Sequence, residues 1–462
     1  MATIEDYQFA AHLLRRTSFH VTRAEVEAAA SAAKQDREAL IRKLVDSAQP
    51  PNISKNPGLQ NRADKFKSED FKRMVLAEIQ RLNSPKSGLG DRMLWFWHGF
   101  LTSGMAKVGS PGLLWRQHRL IAKHALGSFR DLLIELTLDP AMLIYLDGNH
   151  SRGNEGSIPN ENYARELLEL FSLGRVDEGN RGNYSQADVT AAARGLAGWY
   201  IANPPRKGKY DPARVKVRFD LERAFAESIP FLGKTLDFAH ISDGVERVTV
   251  IVDQILASPV AARFIVRKLF VHFVHASPDA DTIDSLAATF RSNGYQILPV
   301  LQQLFRLPAF TSPEAMSGRA RLPMEWLIAT LSALGLSARR LDCMAFFHAT
   351  AQTPFNPADV SGWAVDDRWL SVSQAVARAR LATAAFQLPK RNRLLKQLSE
   401  ADQQADEVLE TLSLFGDQVS AQTRAQVENL LTHIKTKAFD EKLGPTRSAL
   451  ALALSCPEFS LT

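Results

Sequence analysis

The densest run of chemistry-bearing side chains lies between Leu146 and Gly174: Leu-Asp-Gly-Asn-His-Ser-Arg-Gly-Asn-Glu-Gly-Ser-Ile-Pro-Asn-Glu-Asn-Tyr-Ala-Arg-Glu-Leu-Leu-Glu-Leu-Phe-Ser-Leu-Gly. Carboxylates and carboxamides are hard oxygen donors, suited to Mg²⁺ or Ca²⁺ or to the hydroxyls of a substrate. On this basis Asp147, Asn160, Glu161 and Glu166 are candidate metal ligands, with Asn149 nearby. Glu161 and Glu166, with Arg165 beside them, are candidate catalytic groups for general acid–base work. The same stretch has a plainer reading as a capped helix. Asn160 suits the N-cap, Glu161 the first turn and Gly174 the C-terminal stop. Ala164, Leu167, Leu168 and Phe171 then share a buried face, while Glu161, Arg165 and Glu169 form a polar ridge. Ion pairs along such a ridge contribute about 0.3–0.5 kcal/mol each. Spacing alone leaves both readings open, because nothing here has the diagnostic pattern of His-Glu-x-x-His.

Other candidates are sparser. His98 lies in the aromatic run Trp95-Phe-Trp-His-Gly-Phe100, where a lowered pKa would suit acid–base chemistry and a single hydrogen bond would suit a core role. His272 and His275 stand three apart and would share a metal only if a third ligand came from elsewhere. Arg263, Arg267 and Lys268 read as a solvated face or an anion contact. Trp199 and Trp363 offer rings for core packing or for stacking on a sugar. The two cysteines, Cys343 and Cys456, are too few for a disulfide framework or a cysteine zinc site and read as buried free thiols.

These residues sit in a chain of 462, long enough for two or three domains or one large fold. With 45% hydrophobic and 23% charged residues, it falls in the globular class. The net charge of +6 is too dilute to argue for nucleic acid. No apolar run reaches the roughly 20 residues of a membrane span. The N-terminus carries acids where a signal peptide has basic residues, so the expected location is cytoplasmic as encoded, or periplasmic through co-export with a signal-bearing partner. Phosphate-loop, dinucleotide and nucleophile-elbow motifs are all missing.

The elements that must position the candidates are helical. Apolar residues recur at helical period over 5–16, 22–30, 36–47, 64–83, 88–101, 111–126, 128–137, 160–173, 185–198, 243–256 and 258–275. The pattern continues over 279–292, 296–306, 322–334, 337–350, 371–387, 402–414, 421–435 and 444–454. Thr22 with Glu25 has capping-box spacing. Residues 48–63 form a Pro/Asn connector and 147–159 a Gly/Asn/Ser loop. The region 201–242 is too long for a plain connection and reads as a functional loop or small subdomain, with a β-hairpin near 213–220 suggested by Val215-Lys-Val-Arg-Phe219. The predicted fold is all-α. Its expected divisions are 1–200, the insertion 201–242, a second helical region 243–390, and a C-terminal helical hairpin 391–462 packed on the same core.

A family resemblance rests on the run Pro159 to Gly174, followed by Tyr184-Ser-Gln-Ala-Asp-Val189 and Ala193-Arg-Gly-Leu-Ala-Gly-Trp199. In order with these come His12-Leu-Leu-Arg-Arg-Thr-Ser-Phe19, Phe96-Trp-His98, Phe231-Leu-Gly-Lys234 and Ala261-Ala-Arg-Phe-Ile-Val-Arg-Lys-Leu269. Thr353-Pro-Phe-Asn-Pro-Ala-Asp-Val-Ser-Gly-Trp363, Trp369 and Ser455-Cys-Pro-Glu-Phe459 complete the set. Together they resemble the bacterial DUF1800 family over nearly the whole chain. The resemblance implies a helical protein without a settled activity, often encoded beside members of the DUF1501 family, which resemble phosphatases and sulfatases. It suggests an interaction protein that works with such a partner, using 201–242 and the Trp-bearing segments as contact surface. The alternative is an enzyme using Asp147, Glu161 and Glu166 for metal-assisted hydrolysis or group transfer. Two departures stand out: family members commonly carry a His-Asp pair before the Phe-Leu-Gly-Lys stretch, where this chain has Phe225-Ala-Glu-Ser-Ile-Pro230, and many begin with an export signal.

Overall fold

The computed structural model describes residues 2–60, 69–177, 179–204, 211–363, 367–386, 405–433 and 444–462. The first group of helices is α1 (Ile4–Thr17), α2 (Arg23–Ala33), α3 (Arg37–Asp46), α4 (Glu69–Leu82), α5 (Leu89–Phe100), α6 (Met105–Val108), α7 (Pro111–His124), α8 (Phe129–Thr137) and α9 (Pro140–Tyr145). Helices α10 (Asn162–Glu169) and α11 (Gln186–Gly195) lead into the strands β1 (Trp199–Ala202), β2 (Lys216–Phe219), β3 (Ser228–Phe231) and β4 (Lys234–Asp237). Then come α12 (Gly244–Ala257), α13 (Pro259–Phe273), α14 (Ala280–Ser292), α15 (Ile297–Leu304), α16 (Pro313–Ser317), α17 (Pro323–Ala333), α18 (Cys343–Ala349) and α19 (Val372–Phe386). The chain finishes with α20 (Ala405–Thr411), α21 (Ala421–His433) and α22 (Gly444–Ser455). The fold is therefore all-α with two small sheets.

Local chemistry sets the helix ends. Thr3 with Asp6, and Thr22 with Glu25, form capping boxes that satisfy the first free N–H groups of α1 and α2. The neighbours that pack closely are α1 with α2, α13 with α14, and α22 with α19 and α21. Two apolar cores result. One joins α1–α3 to α8, α10–α15 and the Trp97 side of α5; the other joins α4, α7 and the Trp95 side of α5 to α17–α22. Both cores draw on residues from either side of position 200. The boundary expected at 391 falls outside the described residues, as do the start of the helix expected from 64 and parts of those expected over 402–414 and 421–435.

The region 201–242 is built into the structure. Strand β2 pairs antiparallel with β1, Trp199 opposite Phe219 and Ala202 opposite Lys216. The alternating segment expected to be half of a small hairpin near 213–220 is indeed one strand of an antiparallel pair, and its partner lies more than ten residues before it. The reason is packing, since the Trp199 and Phe219 rings meet at 5.1 Å. Val215, Ala224 and Phe225 are buried, so this insertion is part of the core rather than a detachable loop. Strands β3 and β4 form a second hairpin whose two-residue turn is Leu232-Gly233, both with positive φ. Asp188 accepts the Leu232 N–H at 2.7 Å and Gln254 donates to its carbonyl at 2.9 Å, which holds a non-glycine residue in that conformation. No helix among the described residues is long and apolar enough to cross a membrane.

Candidate functional site

The helix carrying the central carboxylates is α10, and its buried face is the expected one: Ala164, Leu167, Leu168 and Phe171 are all in the core. Its start differs from expectation. Glu161 occupies the cap position without capping through its side chain, while Asn160 Oδ1 accepts the Asn162 N–H at 2.9 Å just outside the helix. Gly174 has φ +75°, as a chain-reversing residue requires.

The structure separates the carboxylates rather than gathering them. Asp147 is 2.7 Å from Lys107 Nζ and accepts from Asn162 Nδ2 at 3.0 Å. Glu161 accepts from Arg165, Gln186 and Thr190, each at 2.8 Å. Against the upward pull of partial burial, the Thr190 and Gln186 hydrogen bonds and the Arg165 charge hold its carboxyl below the usual range. Glu169 accepts from the Tyr184 hydroxyl at 2.8 Å. Among the described residues no group of three or more His, Cys, Asp or Glu side chains is arranged to hold a metal ion. Each of these carboxylates pairs with a protein side chain.

Glu166 behaves differently. Partial burial raises its pKa, and the neighbouring carboxylates of Glu169 and Asp359 add to the effect. Asp359 belongs to a loop from another part of the chain, residues 350–363, that carries the Thr353–Trp363 motif. This loop is held in an uncommon conformation: Ala351 and Phe355 have positive φ, and the Cβ of any residue replacing Gly362 would collide with the Gly99 carbonyl. Staples to α5 and α6 hold it in place. The Phe355 N–H donates to His98 Nε2 at 3.1 Å, the Met105 N–H to the Phe355 carbonyl at 2.8 Å, and Thr102 Oγ1 to the Val360 carbonyl at 3.0 Å.

His98 thus has a definite task. To accept a main-chain N–H its Nε2 must carry no proton, so the ring is neutral with its hydrogen on Nδ1. Burial, with the His118 ring nearby, pulls its pKa down to about 3. Trp95, Trp363 and Phe355 pack around it. It is a fixed acceptor in the loop's foundation.

Between this loop, α5 and α13 lies a cleft of about 620 Å³. Trp95, Phe96, Phe100, Trp363 and Trp369 line it, together with His272, Lys268, Gln352, Gln374, Asp359 and Arg368. Four of these side chains present a buried polar atom with no hydrogen-bond partner among the described residues: His272 Nε2, Gln352 Nε2, Gln374 Oε1 and Trp363 Nε1. The other end of each amide is fixed, Gln352 Oε1 by the Met324 N–H and Gln374 Nε2 by the Thr350 carbonyl, both at 2.8 Å. Burying an unpaired polar atom costs about 1–3 kcal/mol, and these four lie beneath the cleft surface in residues that line it.

This cleft leaves no pattern in the sequence, because its residues come from separated segments and glutamines carry no spacing signal. Only its markers were legible: Phe96-Trp-His98, Ala261–Leu269 and Thr353–Trp363 all border it. His272 and His275 do not act together: His272 turns to the cleft, while His275 Nδ1 accepts the Ser277 N–H at 3.3 Å. Of the basic residues on α13, Lys268 lines the cleft and Arg263 pairs with Asp284. Trp199 packs on Phe219 in the β1–β2 sheet. Cys343 and Cys456 are free and buried, as expected.

A family model described as a protein of unknown function (DUF1800) matches residues 12–461. No curated protein and no solved structure matches the chain.

Proposed function

The chain belongs to the DUF1800 family, and from that premise we propose that it is a helical interaction protein that takes a segment of a partner chain into the aromatic cleft. The observation that carries this reading is the aromatic cleft itself, with the carboxamide residues Gln352 and Gln374 set in its wall. A peptide group presents the complementary acceptor and donor, and an extended segment hydrogen-bonded in this way places an apolar side chain against rings such as Trp363 and Phe100. Lys268 and Asp359 put both signs of charge on the lining, which suits a polypeptide better than a uniformly charged ligand. A phosphatase- or sulfatase-like protein of the DUF1501 family is the partner that the resemblance suggests.

The test is to tag the protein in its host, purify it gently and record its native mass, alongside a Gln352→Leu/Gln374→Leu variant. A stoichiometric protein partner present with the wild type and lost with the variant supports the reading. A partner retained by the variant removes the cleft from the interaction.

One observation favours an enzyme instead. Glu166 has its proton affinity raised by burial and by Glu169 and Asp359, and Asp359 also lines the cleft. In that reading Glu166 is the proton donor of a site it shares with Asp359, and Asp147 and Glu161 position the helix. A lone chain carrying a bound small molecule in the native mass measurement would favour it, and loss of hydrolytic activity in Glu166→Gln would establish it.

A further inference from the structure

Away from the cleft, six arginines are buried together: Arg15 and Arg16 on α1, Arg92 on α5, Arg319 and Arg321 in the segment before α17, and Arg378 on α19. Among the described residues a single side-chain carboxylate pairs with them. Glu325 Oε1 lies 2.6 Å from Arg92 and 2.7 Å from Arg319. Guanidinium groups stay protonated in proteins, and a buried charge without compensation is strongly unfavourable.

Main-chain carbonyls and rings answer part of the excess. Arg16 donates to the Ala315 and Thr462 oxygens at 2.6 and 2.9 Å, Arg15 to the Ser413 carbonyl, and Arg378 to the Arg321 carbonyl at 2.8 Å. Arg92 and Arg321 lie over the rings of Phe19 and Phe459. These contacts bring partial negative charge only. Even with a carboxylate on Thr462 counted, the cluster keeps an excess of positive charge.

The excess has a focus. Arg15, Arg92 and Arg321 line one small cavity, and each has a buried guanidinium nitrogen without a partner: Arg15 Nε, Arg92 Nε and Arg321 Nη1. Glu325 also lines this cavity, but its two oxygens are engaged, Oε1 by the arginines and Oε2 by the Leu322 N–H at 2.9 Å. Ser18 completes that side with its hydroxyl already directed at the carbonyls of His20 and Ser87.

The centre of a water-sized sphere can move through about 30 Å³ of this cavity, more than the ~10–15 Å³ that one bound water needs. We infer that the cavity between Arg15, Arg92 and Arg321 binds one monatomic monovalent anion, a halide such as chloride, which joins α1, α5 and the segment before α17.

Bromide serves as the probe on the full chain. Crystals soaked in sodium bromide should show an anomalous peak between the three arginines, absent from an Arg321→Gln variant that keeps the native circular dichroism spectrum. In solution, at matched ionic strength, the thermal midpoint should be higher in bromide than in gluconate and should rise by a constant step for each tenfold increase in bromide once the site is saturated. Should Arg321→Gln fail to fold, the wild-type peak and the bromide–gluconate comparison decide. No anomalous peak in the cavity, with midpoints that follow ionic strength alone, overturns the inference; so does bromide found only at surface arginines.

Discussion

The indole rings of Trp95 and Trp363 stack in parallel, their centroids 6.0 Å apart and their planes 6° from coplanar. This contact fixes the 350–363 loop against α5 and so sets the width of the cleft between them. Aromatic pairs of this kind contribute about 0.5–1.5 kcal/mol beyond the area they bury.

Trp363→Leu should therefore lower the unfolding free energy by about 1 kcal/mol and weaken partner capture at least tenfold, measured by urea titration and by the stoichiometry of the purified complex. Normal capture by a folded Trp363→Leu protein would show that the cleft wall is not a contact surface.

Glu161 and Glu166 should respond in opposite directions to loss of charge. Glu161→Ala removes three hydrogen bonds and an ion pair on α10 and should cost about 1–2 kcal/mol. Glu166→Gln relieves repulsion from Glu169 and Asp359 and should leave stability unchanged or raise it by a few tenths of a kcal/mol. Chemical denaturation of both variants checks the pair, and strong destabilisation by Glu166→Gln would contradict the electrostatics described here.

Three buried histidines make the fold acid-sensitive well above the carboxylate range. Burial drives the pKa values of His12 and His272 well down, and that of His98 to about 3. In the unfolded chain each titrates near 6.5, at about 6.5 by the reference scale. Below that value the unfolded state binds more protons, so stability falls as pH falls. Each histidine contributes a slope approaching about 1.4 kcal/mol per pH unit once fully protonated in the unfolded chain. Asp139, pushed up to about 6 by burial, works the other way between about pH 6 and 4. The net loss in that window corresponds to about two protons. Unfolding free energies at pH 7 and 5.5 should differ clearly; equal values would mean that these rings are not buried in neutral form.

Cys343 and Cys456 should be silent to thiol reagents in the native protein. Both are buried, and burial pushes each thiol up to about 12, leaving almost no thiolate at neutral pH. Labelling should proceed only after denaturation, with two thiols then reacting; rapid native labelling would place one of them at the surface.

Much of the fold was legible because it depends on local signals. The Thr22–Glu25 box and the apolar stripe of α10 follow from capping and periodicity; the stop expected at Gly174 comes earlier, since α10 ends at Glu169 and the chain reaches Gly174 through turns. The Leu232-Gly233 hairpin was harder to see, since a leucine at positive φ is held there by Asp188 and Gln254 from other helices. The cleft and the arginine cluster were not legible. Gln352, Gln374 and His272 become neighbours only through tertiary packing, and arginine is ordinarily a surface residue. The one local hint of the cluster was Arg15-Arg16 at the end of an otherwise apolar helix face.

The contact between Arg16 and Thr462 spans 446 positions, and it has a bearing on synthesis. A chain emerging from a ribosome at 5–20 residues per second leaves α1 waiting roughly 20–90 s for that partner. Until then Arg15 and Arg16 lack the Ser413 and Thr462 oxygens to which they later donate, so their guanidinium groups stay solvated in the nascent chain. Completion of the arginine cluster therefore waits until the chain around Thr462 has been made.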